Sequence, residues 1–128
     1  MAPNSGEPPR THVKAGSPEY LDRASELFQL SVRRELDNII LAMVVKKPMC
    51  GIDIIKTIHV RFGLLLSPGT IYPLLHDLEK KGLLFHVHEA KVKIYRPANG
   101  MSDKISDMLR ERVKVGNSLN KFFMTPDI

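Results

Sequence analysis

Leu66-Ser67-Pro68-Gly69-Thr70-Ile71-Tyr72-Pro73-Leu74-Leu75, running on through Leu78-Glu79-Lys80-Lys81-Gly82-Leu83, is the stretch on which the fold turns. It reads as one helix with both ends marked. Ser67 stands where a cap belongs, and Pro68 suits the first helical position because its missing N–H has no partner there anyway. Ile71, Leu74, Leu75 and Leu78 follow the spacing of a buried helix face. Lys80 and Lys81 complement the negative end of the helix dipole, and Gly82 supplies a left-handed stop.

Downstream, the hydrophobic period changes from helical to alternating. Leu83 to His88 and Val92 to Arg96 read as two short strands, with Glu89-Ala90-Lys91 between them. No Asn-Gly pair marks the hairpin, so its turn type stays open. Pro97 to Gly100 breaks the chain again. Met101, Ile105, Met108, Arg112, Val115, Leu119 and Phe122 then fall at alternating spacings of four and three. That is a heptad seam on a last helix, with Arg112 as its charged interruption. A domain of this size leaves such a seam no partner, so a homodimer is expected, with Arg112 meeting Asp107 or Glu111 of the other copy.

Upstream, Cys50-Gly51 makes a corner. Ile52, Ile55, Ile58 and His59 suggest a short helix ending near Phe62-Gly63. Ser17-Pro18-Glu19 is a further helix start. No proline or glycine follows until Pro48, and the stripes Leu21, Ala24, Leu27, Phe28 and Leu36, Ile39, Ile40, Met43, Val44 predict two helices with a break near Ser31. Residues 1–17 hold three prolines and two glycines with almost nothing to bury, and read as a disordered tail.

The expected architecture is mainly α with a small β-hairpin: a winged helix-turn-helix over 18–100 with an added N-terminal helix, and a dimerisation helix over 101–128. In that order of elements the helix after Ser67 is the one that enters a major groove. Its outward side carries Thr70, Tyr72, Pro73, His76 and Asp77, and the hairpin beside it carries Lys91, Lys93 and Arg96 against one acid, Glu89. The chain holds 19 Lys+Arg against 14 Asp+Glu, a net charge of +5, which suits a polyanionic partner without singling one out.

The run Ser67-Pro68-Gly69-Thr70-Ile71-Tyr72-Pro73-Leu74-Leu75, with Ile40-Leu41-Ala42-Met43 and Lys47-Pro48-Met49-Cys50-Gly51-Ile52-Asp53-Ile54-Ile55 before it, resembles the PadR family of transcriptional regulators over roughly residues 35 to 100. The resemblance implies a winged helix with a C-terminal dimerisation helix, and usually repression. It implies that Ser67, Gly69, Thr70 and Tyr72 face double-stranded DNA, and it leaves room for an unidentified small-molecule effector. The chain departs from the family pattern at Ile52, where an aromatic residue is frequent, and at Ala98, where a capping threonine is frequent.

Other chemistry finds little support. The single Cys50 excludes an internal disulfide. His86 and His88 share a strand face, but a metal site needs three or four converging ligands, and none is expected. Gly63 to Gly69 lacks the lysine of a phosphate loop, and no nucleophile–base arrangement or paired carboxylates appear, so neither enzyme nor cofactor is expected. No apolar run reaches the roughly 20 residues that span a bilayer, and a cytoplasmic, nucleoid-associated place is expected. A winged-helix protein-interaction module and a non-specific architectural DNA binder remain as alternatives.

Overall fold

The structure, a computed structural model, describes residues 18–128, with side chains from Arg23 onward except Ala24. The reading of residues 1–17 as a tail, and Leu21 and Ala24 of the first stripe, lie outside the described residues. The chain divides into two compact units at Arg34/Glu35.

In the first unit, helix α1 spans Pro18–Arg34, with Arg33 and Arg34 at its negative end. Leu27, Phe28 and Leu30 are exposed on it.

The second unit opens with α2, Leu36–Lys46. The break between the first two helices therefore falls at Glu35 rather than near Ser31. Ser31 lies in unbroken helix, while Glu35 is held by contacts made far along the chain, which local periodicity does not register. Strand β1 (Met49–Cys50) follows, then α3 (Gly51–Phe62), α4 (Pro68–Lys80), β2 (Leu84–Glu89), β3 (Val92–Pro97) and α5 (Ser102–Met124).

The expected hairpin is a three-stranded antiparallel sheet in the order β1-β3-β2. Its third strand pairs Met49 with Tyr95 and Cys50 with Ile94. Two residues are too few to show alternation, so this strand has no sequence signature. In the hairpin itself Glu89 lies opposite Val92, and the two turn residues Ala90 and Lys91 both have positive φ, 51° and 68°. That is the backbone of a type I′ turn, built without the usual asparagine or glycine.

The core of this unit is Ile40, Leu41 and Val44 of α2, Ile54 and Ile58 of α3, Leu64 and Leu66 of the connecting loop, Ile71, Leu75 and Leu78 of α4, then Leu84, Tyr95 and Ile105. Leu74, placed on the buried stripe by its spacing, is half-buried. Helix α4 ends as its glycine implies. Gly82 has φ 77°, its N–H donates to the Glu79 carbonyl (2.9 Å), and the Leu83 N–H donates to the Leu78 carbonyl (3.1 Å). This is a Schellman motif, with buried Leu78 and Leu83 as its apolar pair.

Helix α5 corrects part of the expected seam. Ile105 is completely buried within its own chain, against a unit in which α5 contacts α2. Arg112 pairs with Glu35 of the same chain. Asp107 and Glu111, expected to meet Arg112 across a dimer, instead pair with Arg110 and Lys114 of their own helix. The first turns of α5 thus do have a partner within the domain. Beyond Arg112, Val115, Leu119 and Phe122 are each about half exposed and Phe123 more so.

Candidate nucleic-acid interface

Ser67 sits at the N-cap of α4 with the extended backbone that a cap requires, φ −88° and ψ 157°. Its side chain does not cap. Ser67 Oγ lies 3.4 Å from Thr70 Oγ1 instead, so the first turn carries a pair of hydroxyls. Pro68 has no N–H to satisfy, and the Thr70 and Ile71 N–H groups bond the Ser67 carbonyl at 3.0 and 3.2 Å.

The outward face of α4 follows from its buried one. With Ile71, Leu75 and Leu78 inside, the exposed positions after Pro68 are Gly69, Pro73, His76, Asp77 and Lys80. Asp77 is occupied by Lys81, 3.0 Å away. This leaves Gly69, Pro73, His76 and Lys80 as a stripe along the helix. Lys80 was assigned above only to the helix dipole. Its spacing from Pro73 and His76, seven and four residues, is the signal that places it on the same face.

Gly69 is a glycine that the fold does not require. A Cβ there would meet only Ser67 Oγ, at an ordinary 3.6 Å. The backbone at the exposed start of α4 is therefore open to the outside, and a helix N-terminus favours an anion.

Tyr72 is different. It is half-buried, and a Cβ on Gly51 would stand 2.5 Å from its hydroxyl oxygen and 2.6–2.8 Å from its ring carbons. The ring of Tyr72 is wedged against the start of α3, and Gly51 is what lets the two helices come so close. Tyr72, expected on the outward side of the helix, thus also packs between α3 and α4. Thr70 is half-buried at the margin of the exposed face.

The strand register sorts the wing. Lys93 pairs with His88 and shares its face with His86 and Tyr95, while Arg96 lies on the other face with Ile94. Arg96 also forms an ion pair with Glu89 (3.2 Å), so that acid offsets Arg96 and not the lysines. Lys91 at the turn and Lys93 beside it are exposed, and among the described residues neither forms an ion pair. Beneath them the Glu79 carboxylate of α4 meets His86 Nδ1 of β2 at 2.5 Å. The His86 ring lies 5.5 Å from that of Tyr95 and edge-on to that of His88 at 5.4 Å. Burial pushes the Tyr95 phenol above its usual pKa, and the nearby Glu79 and Tyr72 add to that. Among the described residues no three of His, Cys, Asp or Glu converge as metal ligands.

The profile of the transcriptional regulator PadR-like family matches residues 40–97, which span α2 to β3. The chain carries a PadR-like domain. That family is one of transcriptional regulators, not enzymes. The PadR-like domain is similar to the transcriptional activator GvpE of Haloferax mediterranei, with 41% identity over 63 residues, 48% of this chain and 33% of that one. It is similar also to the transcriptional activator GvpE1 of Halobacterium salinarum, 34% identical over 76 residues, 59% of this chain and 40% of that one. The match therefore takes in two fifths or less of each relative's length. The fold is that of a PadR family regulator from Eggerthella lenta, with a TM-score of 0.65, 23% identity, and coverage of 85% of this chain and 99% of that one. Among the described residues no helix is long and apolar enough to cross a membrane.

Proposed function

We propose that this chain is a sequence-specific transcriptional regulator that binds an inverted-repeat operator in double-stranded DNA as a homodimer. The observation that carries the reading is the exposed face of α4, where Gly69 is bare without need of the fold and His76 and Lys80 form no ion pair among the described residues. A helix of this size fits the major groove, where base edges present a distinct pattern of donors and acceptors. Ser67, Gly69, Thr70, Pro73, His76 and Lys80 face the duplex, and Tyr72 sets the angle of α4 from behind. Lys91 and Lys93 of the wing add charge at the backbone or the neighbouring minor groove.

The dimer forms through the exposed apolar residues of α5, Met108, Val115, Leu119 and Phe122, with Met101 at the helix start. A two-fold axis then presents two α4 helices to half-sites about 34–36 Å apart or a multiple of that. A dimer seated on an operator that overlaps a promoter represses by exclusion. The two curated relatives are named activators, so the sign of regulation follows from where the operator lies.

Selection of bound sequences from a random duplex pool, followed by gel shift with specific and scrambled competitors, tests the reading. Recovery of an inverted repeat that outcompetes scrambled DNA is the expected result. Equal competition by scrambled DNA points to an architectural binder, and no binding at low salt points to a protein-interaction module. A reporter with the recovered operator upstream of or across its promoter reads the sign.

A further inference from the structure

We propose that His76 and Lys80 together read a guanine in the major groove, and so set the base that the recognition helix prefers. The proposal rests on the DNA-binding reading above. Both acids of α4 are already engaged: Asp77 by Lys81 at 3.0 Å, and Glu79 by His86 of β2 at 2.5 Å. His76 and Lys80 are exposed, and among the described residues neither side chain has a hydrogen-bond or ion-pair partner.

The two side chains share one face. At about 100° per residue, Gly69, Pro73, His76 and Lys80 fall within roughly 60° of one another, opposite the buried Ile71, Leu75 and Leu78. His76 and Lys80 stand four residues apart, which brings their Cβ atoms to about 5–6 Å. Gly69 and Pro73 add no polar side-chain atom. The hydroxyls of Ser67 and Thr70 face each other at 3.4 Å, and Thr70 precedes His76 by about 9 Å of helix. The second half of this face therefore offers hydrogen-bond donors and no free carboxylate.

Guanine is the base that presents two acceptors, N7 and O6, in the major groove. Adenine carries an amino donor in place of O6, cytosine offers an amino donor, and thymine pairs one acceptor with a methyl group. An ammonium group donates and never accepts, so Lys80 bonds O6 and rejects the adenine amino group. An imidazole carries an N–H in either tautomer, and His76 gives it to N7. From successive turns the two residues thus supply what one arginine supplies from its fork. A free carboxylate beside them would welcome the amino groups of cytosine or adenine. Lys81 and His86 remove that option by holding Asp77 and Glu79, and Asp77 in turn offsets the charge of Lys81.

The test is selection of bound sequences from a random duplex pool by the full chain and by its Lys80→Gln variant. Anisotropy titrations on single-base variants of the recovered site follow, at one pH and one salt concentration. The wild type is expected to hold one guanine in each half-site, and to lose about tenfold in affinity when adenine replaces it. A carboxamide donates to adenine N7 and accepts from its N6, so K80Q should move the preference at that one pair from guanine to adenine and leave the rest of the half-site unchanged. A 7-deazaguanine at the same pair keeps O6 and lacks N7. It should weaken the wild type several-fold and leave His76→Ala unaffected. Circular dichroism checks that both variants fold, and the H76A comparison decides the proposal should K80Q not fold. A wild type that selects no sequence overturns the DNA reading and the guanine reader with it. A recovered site with no guanine preference, a K80Q loss equal at every base, as a phosphate contact would give, or a 7-deazaguanine loss that persists in H76A overturns the guanine reader alone.

Discussion

Arg112 grips Glu35 across 77 residues of sequence, with Nε 3.1 and 3.0 Å from the two carboxylate oxygens and Nη2 2.7 Å from one of them. Asn38 adds a hydrogen bond from Nδ2 to Glu35 Oε1 at 2.9 Å. The start of α2 is thereby fastened to the middle of α5. The Arg112 hydrogen bonds, then that of Asn38, hold the Glu35 carboxyl below its ordinary value of 4.5. A carboxylate with a lowered folded pKa contributes stability that is complete above its ordinary value and fades as pH falls through the folded one. Glu35→Gln should therefore lower the melting temperature at neutral pH, and the difference from wild type should vanish well below pH 4.5. Paired melting curves at pH 7 and at the acid end check this; an unchanged difference at both would show that the carboxylate charge is not what holds α5.

Gly51 should not tolerate a side chain. Gly51→Ala sets its methyl within 2.5–2.8 Å of the Tyr72 ring tip, and a stiff ring between two helices has little room to yield. Overpacking of this kind costs about 1–3 kcal/mol. Adding Tyr72→Ala should recover part of that loss, a coupling that a double-mutant cycle in urea measures. Strict additivity of the two substitutions would mean that the contact is relieved some other way.

Gly69→Ala should do the opposite. The Cβ makes only an ordinary contact with Ser67 Oγ, and alanine favours a helix by up to about 1 kcal/mol over glycine, so stability should hold or rise. Affinity for operator DNA should drop by about tenfold or more, because a lost close approach at a specific site costs about 1–3 kcal/mol. Denaturation and anisotropy on the same sample give both numbers, and full binding by this variant would show that the duplex does not approach there.

The wing turn can be improved. Ala90 holds φ 51°, a region where an ordinary side chain is strained and asparagine is tolerated. Ala90→Asn should stabilise the domain by roughly 0.5–1 kcal/mol, while leaving Lys91 in place. Lys91→Ala and Lys93→Ala should each flatten the log K against log salt slope by about 1 and weaken specific and non-specific binding alike. Salt titrations on operator and scrambled duplexes separate these from losses on α4, which should fall mainly on the operator.

Val115→Glu with Leu119→Glu should leave a folded monomer. Both residues are about half exposed on the part of α5 that lies beyond Arg112. In the proposed dimer each apolar side chain buried there contributes up to about 1.5–3 kcal/mol. Sedimentation at tens of micromolar checks it, with circular dichroism to confirm that the helices remain.

Much of this is legible in the chain because local chemistry writes it. Gly82 needs its positive φ, Ser67-Pro68 start a helix by their own geometry, and Ile71, Leu75 and Leu78 face inward by spacing alone. What sequence reading misses is decided at a distance. Met49-Cys50 become a strand only because Tyr95 and Ile94 offer an edge. The break at Glu35 is supported by Arg112, far along the chain. The Tyr72 ring meets α3 because Gly51 makes room, and periodicity says nothing of how near two helices pass. The heptad seam shows which face of α5 is apolar, but not that Ile105 would be spent on the home domain.

Helix α5 runs unbroken for 23 residues, about 34 Å at 1.5 Å per residue, and its early turns are locked to the domain by Ile105 and Arg112. In the proposed dimer it acts as an axle that transmits rotation without slack, so the two reading heads keep a constant phase around the duplex. Spacer length should then matter by angle as much as by distance. Inserting about five base pairs, half of a turn of roughly 10–10.5, would carry the second half-site to the far side of the DNA. One head would remain engaged while the other faced solvent.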